Sequence, residues 1–479
     1  MLADFIESFG RGTPPFVSAN LDVSDEPRLA ELADDGTIVA STIVREGGEW
    51  IGVVGATTPL LPAISSPRNV KVLDDVAGLV QDQVDELTGL GVTRIILISH
   101  LQNVNEDRAL VPMLSGVDVA IAGGGDELLA NEDDLLVPGD ARAVDPTTGQ
   151  PFSYPIAATD AEGVTVPIVT TAGDYTYVGR LVVNFDENGN VLDVDDSSGP
   201  VRVSGVAPDA VEADKRIQNR VVDPVNTFIA ELAQTVIAQS AVALEGRRDP
   251  GVRTEETNLG NLIADALLDA GDNAVAFGVV PPDVAIQNGG GIRNNTLIPA
   301  GPFTELDTFS IAPFPNFVSV VPDVPRAQFK EIVENLVPRI PLADGRFGQI
   351  GGFSFTYDAT RTAQVVDNAG AVLTPGDRVR SVVLDDGTVV VQDGAVMAGP
   401  GGAIATNDFS ARGGDQYPFR GLPFTTVGPS YQQALSDYIV DDLAGLISAA
   451  DYPEGGERRV GTDPGEFRDD PEVCPGAGA

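Results

Sequence analysis

Residues 73–123 read LDDVAGLVQDQVDELTGLGVTRIILISHLQNVNEDRALVPMLSGVDVAIAG. Leu73, Val76, Leu79, Val80, Val84 and Leu87 recur at the spacing of one helix face, and Gly89 and Gly91 close that helix. The apolar run 94–99 follows as a strand, with His100 at its C-terminal end. A second helix over 107–115 leads to a strand over 117–123. Strand–helix–strand repetition predicts an α/β sandwich. In such sheets chemistry collects at the C-terminal strand ends, where His100 and the loop 123–127 fall.

Upstream, PPFVSANLDV (14–23) reads as a strand leaving a helix, and GTIVASTIV (36–44) and WIGVVGATT (50–58) as a β-pair joined by REGGE. Downstream, VPIVTTAG (166–173) and GRLVVNF (179–185) are further strands, and residues 130–165 form an acidic surface insertion. This first domain covers 1–198. Residues 199–245 are a linker and a bridging helix, with a long helical stretch over 207–245 that Pro224 interrupts. Residues 246–450 are a second, α+β domain, opened by an amphipathic helix at 258–270 and closed by another at 430–449. The Pro-, Gly- and Asp-rich residues 451–479 read as a disordered acidic tail.

Composition narrows the function. The chain of 479 residues carries 71 acidic against 29 basic groups, a formal charge of −42. Such a field repels nucleic acid and anionic lipid, which need a basic face. No apolar run reaches the roughly 18 residues of a membrane span. The opening MLADFIESFGRG is an amphipathic helical start without the basic and apolar regions of a signal peptide, so an export signal is expected outside this sequence. Cys474 is the single cysteine, so no intrachain disulfide forms. His100 is the single histidine, so a metal site must otherwise use Asp, Glu, Asn or Gln.

Five blocks carry chemistry. RTEETNLGNLIADALL (253–268) places Arg253 before a capped helix. AIQNGGGIRNN (285–295) ends a strand at Asn288 and follows it with Gly289, Gly290 and Gly291, then Arg293. Such glycines either make a tight turn or let backbone amides approach an anion. APFPNFVSVV (312–321) holds Phe314 between two prolines, displayed or packed in the core. GRFGQIGGFSFTYD (345–358) is a loop feeding a strand. NDFSARGGDQYPF (407–419) sets Phe409 six residues before Asp415, which sits on a sharp turn and either grips a sugar diol or caps the turn.

In this order and at these separations the blocks resemble the C-terminal domain of the 5′-nucleotidase family. The resemblance implies that Phe314 and Phe409 sandwich a nucleobase, that Asp415 accepts the ribose hydroxyls, and that Arg253 and Arg293, with Asn288, Gly290 and Gly291, hold the phosphate-proximal part of the substrate. The first half resembles the calcineurin-like metallophosphoesterase domain of the same family. That implies two divalent ions (Zn, Mn, Co or Mg) which clamp the phosphoryl group and activate water. His100 matches a family metal ligand.

Two departures stand out. The family's opening Asp-x-His, its bridging Asp and its Asn-His-Glu are absent ahead of FVSANLDV, and with them four metal ligands and the catalytic His–Asp pair. The usual Gly-His-x-His turn reads Gly123-Gly124-Gly125-Asp126, in which Asp126 can ligate as a hard oxygen donor and Gly124 cannot. The expected protein is therefore an incomplete metallophosphoesterase sandwich, a bridging helix and a substrate-binding domain. The implied activity is hydrolysis of nucleoside 5′-monophosphates or related nucleotides outside the cytoplasm, with little or no turnover by this chain and at most partial metal occupancy. The alternatives are a non-catalytic nucleotide or nucleoside binder and an acidic structural protein of the cell surface. The sequence reads as an N-terminally truncated fragment or a misplaced start rather than a degenerate protein, because a missing half-sheet would leave apolar strands exposed. The sequence leaves the oligomeric state open.

Overall fold

Gly47 and Gly48 adopt φ of 59° and 96°, and this left-handed pair turns β1 (Ser41–Glu46) back onto β2 (Glu49–Thr57) in antiparallel register. The structure is a computed structural model and describes residues 2–10, 12–65, 67–368, 370–456 and 459–462. Contacts group the chain into two units, Met1–Leu61 with Pro67–Lys215 and Pro62–Ser66 with Arg216–Ala479.

In the first unit β2 is followed by α1 (Val76–Gly89), β3 (Ile95–His100), α2 (Val104–Leu110), β4 (Val119–Gly123), β5 (Ile156–Thr159) and β6 (Thr165–Val169). The six strands form one sheet in the order β1-β2-β3-β4-β6-β5. Its centre is parallel, as crossover helices require. Val80, Val84 and Leu87 of α1 are buried with Val54, Ile95, Leu97 and Ala120 in one core. On the other face Ile98 and Ile121, partners in register, each remain 40% exposed.

The second helix starts three residues earlier than expected, because Asn103 caps it by accepting from the Asn105 amide, and Pro112 ends it in a 3₁₀ turn. Residues 14–23 form two short strands, Phe16–Val17 and Leu21–Asp22, rather than one.

The boundary between the units falls in a helical run, Lys215–Ile217, which is followed by a π turn over Gln218–Val222 and α3 (Asp223–Gln234). Pro224 occupies the first turn of α3, where its missing N–H costs nothing. Val236–Ser240 is then a strand paired with Gly301–Thr304, not a helix. Its β-branched residues and this long-range pairing override the Ala-rich surroundings. Strand Gly199–Arg202 pairs with Tyr177–Arg180 in the first unit. Residues 199–245, read as linker and bridging helix, therefore divide between the units.

There follow α4 (Asn258–Asn273), β7 (Val284–Asn288), α5 (Glu305–Ile311), β8 (Phe317–Val324), α6 (Arg326–Glu334), β9 (Gly348–Gly351), β10 (Phe353–Tyr357), β11 (Val379–Leu384), β12 (Val389–Gln392), β13 (Ala395–Val396), β14 (Gly402–Asn407), α7 (Asp408–Ala411), β15 (Thr425–Ser430), α8 (Tyr431–Asp437) and β16 (Val460–Thr462). One sheet runs β9-β7-β14-β8-β15 and a second runs β13-β12-β11-β10-β16. Leu259, Leu262, Ile263, Ala266 and Leu267 turn one face of α4 into the core beneath the first of these. The helix expected over 430–449 stops as an α-helix at Asp437, continues as a π turn and ends near Gly445, whose φ is 74°.

The tail expected from 451 is ordered at its start. Tyr452 is buried, Arg459 pairs with both carboxylate oxygens of Asp265, and β16 adds to the second sheet. Residues 463–479 lie outside the described residues.

Candidate functional site

Three chain segments meet at one end of the first sheet of the second unit. β7 and β14 run parallel and both end there, at Asn288 and Asn407. β8 runs antiparallel to β14, with Val318 opposite Asn407, and so begins at the same end. The glycine triplet after β7, the loop with Phe314 before β8 and the turn with Phe409 and Asp415 after β14 are therefore neighbours by topology. This is the strand end where open sheets bind ligands.

A chain of buried amides aligns these segments. Asn288, 3% exposed, accepts at Oδ1 from Gln287 and Asn407 and donates from Nδ2 to Asp415 Oδ2 at 2.6 Å. The backbone of Asp415 is left-handed, φ 52°, and its carbonyl accepts from Asn335 Nδ2 at 3.1 Å. Burial raises the Asp415 carboxyl above its usual range and Asp344 adds to this, against the Asn288 hydrogen bond and the charges of Arg346 and Arg253. Asp344 is part-buried, yet its hydrogen bonds and ion pair with Arg346 hold it below that range.

Gly289 and Gly291 are steric necessities. A Cβ on Gly289 would stand 2.2 Å from the Val252 carbonyl oxygen, and one on Gly291 2.3 Å from Gln287 Nε2. Gly290 donates its N–H to the Gly345 carbonyl at 2.8 Å and lies against Asp415. The triplet is thus a 3₁₀ turn that fits closely against its neighbours. Tyr431 ties it to the next segment, since its hydroxyl donates to the Gly291 carbonyl and accepts from the Phe314 amide.

Phe314 is 41% exposed and is displayed rather than packed in the core. The Arg293 guanidinium lies over its ring, 5.4 Å from the centroid, and Arg293 Nη1 donates to the Gly290 carbonyl at 3.4 Å. Phe409 is half-buried on α7, whose N-cap is Asn407. Asp408 beside it accepts from the Phe317 amide at 2.9 Å and so clamps α7 to the start of β8.

Arg253 and Arg248 complete the cluster. Burial first, then repulsion from Arg248 and Arg293, pulls the Arg253 guanidinium below its usual value, and burial and Arg293 do the same to Arg248. The Nε of each is buried without a hydrogen-bond partner. Like charges held together with unsatisfied donors suit an anion. Sequence reasoning missed Arg248. Its signal is the second arginine of GRRDPGVR, brought round by Gly251 at φ 145° and the bridge between Arg248 and Gly251.

The expected metal ligands belong to the first unit. His100 and Gly123 are partners in parallel register at the ends of β3 and β4. Both His100 and Asp126 are exposed, and Asp126 Oδ1 lies 2.6 Å from where a Cβ on Gly173 would stand. Gly124 has φ 110°, and a Cβ there would stand 1.8 Å from the Leu101 carbonyl oxygen. This loop conformation admits glycine and no ligating side chain at 124. Among the described residues no group of three or more His, Cys, Asp or Glu is placed to hold a metal ion. The residues present do not fit a two-metal centre, so no chemical step is assigned to one.

Beneath this end of the sheet, Ser99 donates to Asp107 Oδ1 at 2.5 Å while Asp107 Oδ2 has no partner. Burial, with the charges of Glu106 and Glu127, pushes the Asp107 carboxyl up to about 6.

Comparison with known proteins identifies a family. Residues 236–420 match the family model described as "5'-nucleotidase, C-terminal domain". The chain is similar to the 5'-nucleotidase of Bos taurus, 28% identical over 374 residues, which cover 76% of this chain and 58% of that protein. It is equally similar to the trifunctional nucleotide phosphoesterase protein YfkN of Bacillus subtilis, 28% identical over 84% of this chain and 25% of that one. The chain thus spans under two thirds of the length of these curated relatives. Among solved structures, the 5'-nucleotidase precursor from Thermus thermophilus superimposes with a TM-score of 0.69 at 30% identity, over 97% of this chain and 81% of that one. A match that spans nearly the whole chain and most of the Thermus protein, with an α/β fold in common, makes the chain a member of the 5'-nucleotidase family.

Proposed function

We propose that the second unit binds nucleotides, nucleoside 5′-monophosphates first among them, as the substrate-recognising half of a phosphoric ester hydrolase of nucleotide catabolism and phosphate scavenging. UDP-sugars and cyclic nucleotides carry the flat base that the two rings would grip. Phe314 and Phe409 take the base, Asp415 backed by Asn288 takes the ribose diol, and Arg248, Arg253 and Arg293 face the phosphate. The observation that carries the reading is that two part-exposed rings, one part-buried carboxyl and three arginines lie on segments gathered at a single sheet end. An extracellular, periplasmic or cell-surface location is part of the proposal, and the charge of −42 is compatible with it.

The glycine-only loop at 124 favours binding with little or no turnover by this chain. Calorimetry with adenosine and AMP on the full chain, with and without EDTA, tests the binding. Phosphate release from AMP in Mn²⁺, Zn²⁺ or Co²⁺ tests the turnover. The expected result is chelator-insensitive binding and background hydrolysis. No adenosine binding sinks the nucleotide reading. Robust hydrolysis that His100→Ala leaves untouched sinks the reading of His100 as the metal ligand.

A further inference from the structure

Gly414 is buried directly beside Phe409. A Cβ built on it would stand 2.6 Å from Cε1, from Cε2 and from Cζ of that ring. A point equally distant from three atoms of a regular ring lies on the axis through the ring centre. One face of Phe409 is therefore laid flat on the Cα of Gly414, and the ring has a single face left to offer. Phe314 is treated the same way by other means, with Arg293 over one of its faces. Each aromatic is thus backed by protein on one side.

We infer that Gly414 is the positioning residue that sets the width of the base slot, an inference that rests on the nucleotide reading above. The backbone of Gly414 is not left-handed, unlike that of Gly413 and Asp415. Alanine can adopt it without backbone strain, so glycine is required by the ring and not by the turn. Ordinary contact between a methyl carbon and a ring carbon is about 3.5–4.0 Å. A methyl at 2.6 Å must push the ring away by roughly an ångström. The ring is the free end of a side chain and yields more easily than the buried turn beneath it. It yields away from Gly414, on the side of its open face. A flat heterocycle held between two rings has no spare width, so the displacement is felt by the base and not by the sugar or the phosphate.

The test is a double-mutant cycle on the full chain, read by titration with adenosine and with ribose 5-phosphate, and with thermal unfolding recorded for every variant. Gly414→Ala is expected to weaken adenosine at least tenfold while ribose 5-phosphate changes less than twofold. In a Phe409→Ala background, Gly414→Ala is expected to cost less than a further twofold, because the ring it displaces is gone. Adenosine binding by Gly414→Ala at wild-type strength overturns the inference. So does a loss that persists in full in the Phe409→Ala background, or one that is equal for ribose 5-phosphate. Absence of adenosine binding by the unsubstituted chain overturns the nucleotide reading itself, and the slot with it.

Discussion

Asn288 Nδ2 donates to Asp415 Oδ2 at 2.6 Å across 127 residues of sequence. The bond joins the strand before the glycine triplet to the left-handed turn after β14, and it opposes the burial that lifts the Asp415 carboxyl. The ionised form is the better acceptor for a diol. Nucleoside binding should therefore weaken as pH falls, and it should do so at a higher pH than an ordinary carboxylate would dictate. Asn288→Ala removes the opposing bond and should move the midpoint of that loss upward. Binding titrations across pH check both statements. A midpoint that Asn288→Ala leaves in place would sink the coupling.

The two rings should contribute separately. Stacking on one aromatic face is worth about 1–3 kcal/mol per base. Phe314→Ala and Phe409→Ala should each weaken adenosine, guanosine and uridine by comparable factors, since every base has a flat face. Calorimetry with the three nucleosides decides this, and loss confined to one base would contradict it.

Arg248 and Arg253 should trade stability for affinity. Each is held near other guanidinium groups with a buried Nε that lacks a partner. Arg248→Ala should raise the melting temperature of the ligand-free chain and bring AMP affinity close to that of adenosine. A lowered melting temperature would show that Arg248 is structural.

Asp107 should make the first unit less stable at neutral pH than in mild acid. Its side chain is 1% exposed and its pKa is about 6 in the folded chain against an ordinary value of 3.8. The folded state then holds a proton that the unfolded state has released, so stability falls as pH rises from about 4 to about 6 and levels off above that. The upper bound is about 3 kcal/mol, from about 1.4 kcal/mol per pKa unit. Asp107→Asn should stabilise the chain at pH 7.5 and flatten this dependence, as denaturant melts at pH 5 and 7.5 would report. An unchanged slope would refute the assignment.

Gly124→His should not build a metal site. The side chain would need φ 110° and a Cβ 1.8 Å from the Leu101 carbonyl oxygen. A left-handed backbone alone costs roughly 1–2 kcal/mol for a residue with a Cβ, so a lowered melting temperature without gain of Zn²⁺ or Mn²⁺ affinity is expected. Tight metal binding by the variant, read by calorimetry, would show that the loop adapts.

Local signals carried much of this structure into the sequence. The glycine pair at 47–48, the capped start of the helix at 258 and the periodicity of 76–87 act over a few residues, and each element they announce is present. Phe314 between its prolines left a displayed ring and a core ring both open, and its 41% exposure decides for display. What stayed hidden depends on distant partners. Strand Val236–Ser240 is made by its pairing with Gly301–Thr304 and not by its own composition. Arg248 becomes a site residue only where Arg253 and Arg293 converge on it. The loss of a ligand at 124 could be read from the sequence, but the backbone conformation that forbids one could not.

Ile98 and Ile121 stand side by side at the middle of the first sheet and are 40% exposed. Such a pair offers a small apolar contact to another molecule. Here every copy carries a charge of −42, and repulsion over a Debye length of about 8 Å at physiological ionic strength opposes the approach of two copies. Colloidal behaviour therefore becomes a function of ionic strength. Shortening the Debye length to about 3 Å at 1 M salt removes that guard and lets the bare isoleucines find one another.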